Sequence, residues 1–442
     1  MSNKALARAV RGLSFQRGEP VSCDHTSISR WLSGMRPRPA TARLVAEVIS
    51  NQVGRTVTLA ELGFGGADQP DSGLGIAYAD CPQHAVTTLD RLWRHDLDET
   101  RAILTAPTDS GAWSNAALAW MVRGDHDHLP TGSGIRRVGM SDVDALRATV
   151  KLFSEMDNDF GGAHARQSLV QYLATNVAAM LGGTYAETTG RALFTATAES
   201  TLLAAWMSYD AGIHGVAQRY FIQALRLAQT GGDVLLAGSI LDAMSHQATF
   251  LGRHQEAANL ARAARTGTRG VATATLTAHF YAMEARALAL AGDSVAAEKA
   301  LGNAVRIFER RRPGVDPGWI EYFDDAELSA EFGHCYRDIG QHAKAIDYAE
   351  RAIVGAAGVS PRSDFFVTMV KSSGLLASGD LEGSIATLRA ALDRGRVLKS
   401  ARCIEYLRQH HRALAPHSQA VAVRELTDEY ADHPLWLAAT RS

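Results

Sequence analysis

The second half of the chain carries a repeating arrangement of small, apolar and polar positions. From Ser141 onward, apolar residues recur at helical spacing, and the pattern predicts helices over 141–157, 163–181 and 186–211. Five glycine corners then follow: Gly212-Ile213-His214, Gly252-Arg253-His254, Gly292-Asp293-Ser294, Gly340-Gln341-His342 and Gly379-Asp380-Leu381. Their spacings, by subtraction, are 40, 40, 48 and 39 residues. Seven positions before each glycine the residue is small: Ala205, Ser245, Ala285, Gly333, Ser372. Five positions after, it is small again: Ala217, Ala257, Ala297, Ala345, Ser384. Twelve after, it is alanine each time: Ala224, Ala264, Ala304, Ala352, Ala391. Glycine ends a helix in the left-handed conformation that other residues resist. Small residues on both sides let two antiparallel helices approach closely. Each unit therefore reads as a helical hairpin, and hairpins in series stack into a solenoid. Residues 313–323, with Pro313 and Pro317, read as an insertion between the third and fourth units.

The amino-terminal pattern is different. Residues 4–13 read as a helix with Leu6, Val10 and Leu13 on one face, followed by a polar loop over 14–24. A short helix runs from the N-cap Asp24 to Gly34, with Ile28, Trp31 and Leu32 as its buried stripe and Thr26, Ser27 and Arg30 facing out. Met35-Arg36-Pro37-Arg38-Pro39 then sets two cations on a stiff turn, and Thr41–Val53 forms a further helix. Gly63–Asp80 is glycine-rich and reads as a linker. A helix is predicted over 86–104, then a partly mobile connection over 105–140 with a short helix at Asn115–Val122. Residues 400–414 and 417–431 form a final capping hairpin, and the end is expected to fray unless Trp436 docks.

Charge adds one thing to this picture. The chain of 442 residues has 45 basic and 47 acidic side chains, an ordinary balance, but residues 1–62 hold nine Lys or Arg against four Asp or Glu, giving +5. The remainder is −2 − 5 = −7. A basic end on an acidic body points to a nucleic-acid contact confined to that end. The four cysteines, Cys23, Cys81, Cys335 and Cys403, have neither metal-ligand spacing nor a disulfide framework, so reduced thiols in a cytoplasmic protein are expected. Asp125-His126-Asp127-His128 alternates metal-capable groups but has no visible partner ligands and reads as a solvated loop. No metal, cofactor or membrane span is expected.

The small-Gly-small-Ala columns resemble the tetratricopeptide repeat, although the units here are longer than its ~34 residues. Ile28-Ser29-Arg30-Trp31-Leu32-Ser33-Gly34 resembles the end of an XRE-type helix-turn-helix domain. Two departures stand out: the preceding loop is about ten residues longer than that motif's tight turn, and only three residues precede the helix at 4–13, where the family has another. The domain is therefore expected to lack its first helix or to start upstream of Met1. Taken whole, the chain is similar to actinobacterial regulators that join such a domain to tetratricopeptide-like repeats. The stretches that carry this likeness are Trp31–Pro39, Ala204–Asp210, Ala217–Ala228 and Glu331–Asp338. The layout also resembles the peptide-sensing RRNPP regulators.

These resemblances imply an all-α protein in four parts: a helix-turn-helix domain at 1–64, a linker with one or two helices at 65–140, a repeat domain at 141–432 and a tail at 433–442. They imply that Thr26, Ser27 and Arg30 reach base edges while Arg36 and Arg38 sit near phosphates of double-stranded DNA. They also place Trp206, Tyr209, Asp242, His246, His279, Arg286, His334 and Arg337 on the exposed concave face of the array. Arg286 or Arg337 there would hold the carboxylate of a peptide or small-molecule effector. The function implied is a homodimeric transcriptional regulator. The alternative is a protein-interaction scaffold with a vestigial DNA-binding domain. No nucleophile elbow, phosphate loop or metal motif supports an enzyme.

Overall fold

Small side chains, glycine corners and helix caps leave this sequence little choice but helices. The computed structural model describes residues 2–16, 21–35, 37–53, 57, 59, 62, 64, 73–122, 128–130, 134–355 and 360–441. Among them no strand occurs, only one isolated bridge between Arg137 and Thr184. No described helix is long and apolar enough to cross a membrane. The chain divides into two units, Met1–Asp71 and Ser72–Ser442.

The first unit contains α1 (Asn3–Gln16), α2 (His25–Leu32) and α3 (Pro39–Val53). Ala7, Val10, Cys23, Ile28, Leu44, Val45 and Val48 form its core, with Trp31 edge-on to Phe64 at 5.9 Å. Leu32, expected in the buried stripe, is 76% exposed. Ile28 and Trp31 alone turn α2 inward.

The second unit begins with α4 (Pro82–Leu97), α5 (Arg101–Leu104), α6 (Ser110–Val122), α7 (Met140–Phe160), α8 (Arg166–Tyr172) and α9 (Ala178–Leu181). Five hairpins follow. They are α10 (Glu187–Asp210) with α11 (His214–Gly231), α12 (Val234–Phe250) with α13 (His254–Gly267), and α14 (Ala274–Leu290) with α15 (Ser294–Phe308). Then come α16 (Asp325–Asp338) with α17 (His342–Gly355), and α18 (Pro361–Ala377) with α19 (Leu381–Gly395). The chain ends in α20 (Ala401–Leu414), α21 (Val421–Glu429) and α22 (Pro434–Thr440). All five corner glycines are left-handed, with φ from 75° to 88°. The three small columns are buried throughout; Ala264 and Ala304 are fully inaccessible. Replacing Ala264 by leucine is expected to overpack the contact and cost about 1–3 kcal/mol. Melts indistinguishable from wild type would show that this column does not set the helix spacing.

Of the stretch expected as a linker, the described residues 73–80 are part of the array. Residues 74–79 lie along α11, where Arg219 donates to Leu74 O (2.9 Å), Gln223 to Gly75 O and Ala77 O (2.9 and 2.8 Å), and Arg226 to Ala79 O (2.9 Å). Trp93 and Trp113 are fully buried against the hairpins. The helix expected over 86–104 is broken at Asp98–Glu99, where Glu99 takes φ 48°. At the carboxyl end Trp436 docks, 2% exposed and edge-on to His411 at 5.5 Å.

The first helices of successive hairpins touch in order, α10 to α12, α14, α16 and α18, then α20. Helix α7 packs on both α10 and α18, so the series closes on itself. The closure has a specific seam. Lys399 N–H donates to Phe160 O (2.7 Å), and Gly162 N–H to Asp210 Oδ2 (2.8 Å). A Cβ on Gly161 would meet Lys399 O at 2.8 Å, and one on Gly162 would meet Met207 O at 2.6 Å. Glycine is required there by close backbone approach. Arg362 adds an ion pair to Asp157 (2.8 Å) and a longer one to Asp210 (3.5 Å).

Candidate functional site

In the first unit the start of α2 is fixed by a capping box. Asp24 Oδ1 accepts from Ser27 N–H (2.7 Å) and from Ser27 Oγ (2.8 Å). The Ser27 N–H holds the Asp24 carboxyl below its ordinary range. Ser27 is thus half-buried and occupied with its own helix, while Thr26, Arg30 and Arg38 are exposed. Arg36 lies outside the described residues. Asn3 donates to Ser29 Oγ (3.2 Å), tying α1 to the same helix.

In the array the eight residues expected on the concave face come together on the inner helices, but four of them are buried and the other four half-buried. Tyr209 is fully buried, and Asp242, His334 and Arg286 are 3, 5 and 7% exposed. The expected open groove is a recess, because the array closes and α18 and α20 lean over that face. Trp206 is edge-on to His246 (5.3 Å), and Tyr209 OH meets His246 Nδ1 at 3.0 Å. Asp242 lies 2.6 Å from His279 Nδ1. Arg286 donates to Glu331 (3.1 Å), and Arg337 pairs with Asp338 (2.6 Å), so both expected carboxylate anchors already have internal partners. Tyr406 of α20 meets His334 Nδ1 at 3.4 Å and lies beneath the Arg337 guanidinium.

The electrostatics of the recess follow from burial and from its arginines. Burial pushes His246 and His334 well below the ordinary imidazole value; Arg402 and Arg286 push His246 further, and Arg286 and Arg337 do the same to His334. Burial also opposes charge on His279, but the Asp242 carboxylate outweighs it and the imidazole is held up. Burial, with Glu331 nearby, lifts Glu327 to about 7. The recess therefore sets the neutral imidazoles of His246 and His334, with phenols, beside buried guanidiniums and the His279–Asp242 pair.

Sequence reasoning missed Arg402 and Tyr406 as members of this cluster and did not single out Phe366. Arg402 and Tyr406 lie beyond the fifth corner, outside the repeat register that located the others. Phe366 lies on α18, the first helix of the fifth hairpin, but carries no polar group to single it out.

A second depression, of about 480 Å³, lies between α7, α10 and α12, lined in part by Arg147, Arg191 and Asp233. Its arginines are both paired, Arg147 with Glu199 and Arg191 with Glu187. No cluster of three metal-capable side chains occurs among the described residues, and His128 is exposed. Asp125, His126 and Asp127 lie outside the described residues. All four cysteines are free thiols.

Residues 1–65 match the model of a family described as the SP15 N-terminal domain. No curated protein matches the chain.

Proposed function

We propose that this protein is a DNA-binding transcriptional regulator of the actinobacterial kind. In this reading residues 1–64 act as an XRE-like helix-turn-helix domain. The array is a tetratricopeptide-like solenoid that senses a peptide, a small ligand or a protein partner and mediates homodimerisation. One observation carries the reading: the two units divide their polar chemistry. The basic first unit turns Thr26, Arg30 and Arg38 to solvent from a capped helix and the turn after it. The acidic second unit withdraws its ionisable cluster into a recess. Exposed cations suit a polyanion, and a shielded polar cluster suits a ligand that replaces water.

The test is a titration of the full chain against promoter and random duplexes at several salt concentrations. Arg30→Ala is expected to relax preference at about one base position, losing on the order of 1–3 kcal/mol. Arg36→Ala and Arg38→Ala should weaken all sequences alike and reduce the salt slope by about one each. Absence of DNA affinity at low salt would favour the scaffold reading. The exposure of Phe15 (86%) and Leu32 (76%) on the first unit is the feature that suits a protein partner instead.

A further inference from the structure

Arg402 differs from the other arginines of the recess. Its side chain is 10% exposed, and its guanidinium lies over the rings of Tyr209 (4.8 Å) and Phe366 (4.6 Å). The nearest carboxylate is Asp210, at 3.8 Å, beyond hydrogen-bond distance. Both Asp210 oxygens are already engaged: Oδ1 accepts from Ser400 Oγ (2.8 Å) and Oδ2 from Gly162 N–H (2.8 Å), with Arg362 at 3.5 Å. Arg402 Nε is buried and has no hydrogen-bond partner, and the same holds for Arg286 Nε. A buried N–H without an acceptor is costly, and on a charged group more so. The imidazoles around it are depressed in part by Arg402 itself, so they are neutral and do not compete for an anion.

We propose that the recess binds a small organic carboxylate, held side-on by Arg402 through Nε and a terminal nitrogen, with its hydrocarbon part among the surrounding rings. This inference rests on the sensing role proposed for the array and names the class of ligand sensed. A guanidinium packed over aromatic rings keeps its donor edge free, and that edge matches the two oxygens of a carboxylate. Lysine cannot reproduce the fork. The Tyr209 and Phe366 rings that flank the guanidinium favour an organic carboxylate over a hydrated inorganic anion. Arg286, already bonded to Glu331, supports the positive field and is not the anchor.

The probe is sodium benzoate, titrated calorimetrically into the full-length protein at fixed pH and ionic strength, with acetate and inorganic phosphate as comparisons. Benzoate is expected to bind saturably, acetate more weakly and phosphate least. Arg402→Lys should weaken benzoate by about tenfold or more. No benzoate binding by the wild type, or equal binding by Arg402→Lys, overturns the proposal. Should Arg402→Lys fail to fold, Phe366→Leu keeps the charge and is expected to weaken benzoate severalfold; unchanged affinity there also overturns it. Repeating the DNA titrations with saturating benzoate separates the two readings. Benzoate bound at Arg402 without effect on DNA affinity leaves the carboxylate site standing and removes the sensing role. DNA binding in a protein that takes no benzoate removes the carboxylate site alone.

Discussion

Replacing Arg362 by methionine is expected to destabilise the array by about 3–5 kcal/mol at neutral pH, the cost of leaving buried charges without a partner. Arg362 sits where the closed series of helices meets itself. Its guanidinium is 2.8 Å from Asp157, whose side chain is 5% exposed, and 3.5 Å from Asp210, at 1%. Burial already raises the Asp157 carboxyl, and Arg362 is its chief compensating neighbour. Without Arg362, Asp157 should take up a proton rather than remain a buried anion. That predicts a signature that a packing defect lacks: the deficit shrinks as pH falls, because protonation relieves it. Urea melts of wild type and Arg362→Met across a pH series would read this directly. A deficit independent of pH would assign Arg362 a packing role only. The double variant Asp157→Asn/Arg362→Met should recover part of the loss, since the desolvated charge is then gone.

The hairpins were legible in the sequence because their cause is local. A glycine with positive φ, and small residues at fixed offsets from it, act within forty or so residues, so one pass along the chain finds them. The same register assigned Asp242, His246, Arg286 and Arg337 to one side, because it depends only on helical periodicity. What the register could not show is closure. Asp157 and Arg362 are 205 positions apart, and neither belongs to a repeated column. Closure turned the expected exposed groove into a recess, and it brought Arg402 and Tyr406 from α20 over a face that the repeats alone would leave open. The linker was misread for a related reason. Residues 73–80 have the composition of a loop, and they are a loop, but Arg219, Gln223 and Arg226 of α11 satisfy its carbonyls. Composition reports that a segment will not form its own hydrogen-bond ladder. It does not report whether another helix supplies the donors.

One hint of long-range structure was present and went unused: the small columns of the fifth hairpin are serines, Ser372 and Ser384, where the first, third and fourth have alanine or glycine. A fully buried hydroxyl needs a partner: Ser372 Oγ donates to Ser384 O (2.9 Å) within the hairpin, and His410 of α20 adds a contact from outside it. Its Nε2 lies 3.2 Å from Ser372 Oγ and 3.4 Å from Ser384 Oγ, and its Nδ1 3.3 Å from Ser373 Oγ. Burial, with His411 adding to it, pushes His410 down to about 4. An exposed, unfolded-state histidine titrates near ~6.5. Between those values the unfolded chain binds a proton that the folded protein refuses, so stability rises with pH across that window. The contribution is complete above about 6.5 and is lost as pH falls toward 4, on the order of 3 kcal/mol in all. Half-buried His214 and His246 and buried His334 act in the same direction. Glu327 acts in the opposite one: its folded carboxyl is raised to about 7, so its contribution is present in acid and lost as pH rises through neutrality. His410→Gln can keep a hydrogen bond to the serines but cannot titrate. It is expected to reduce the slope of unfolding free energy between pH 4 and 6.5 by up to about 1.4 kcal/mol per pH unit, one proton's worth. Denaturant melts at half-unit pH steps would measure that slope in both proteins. Equal slopes would mean that His410 binds its proton in the folded state, and that the serine contacts hold an imidazolium rather than a neutral ring.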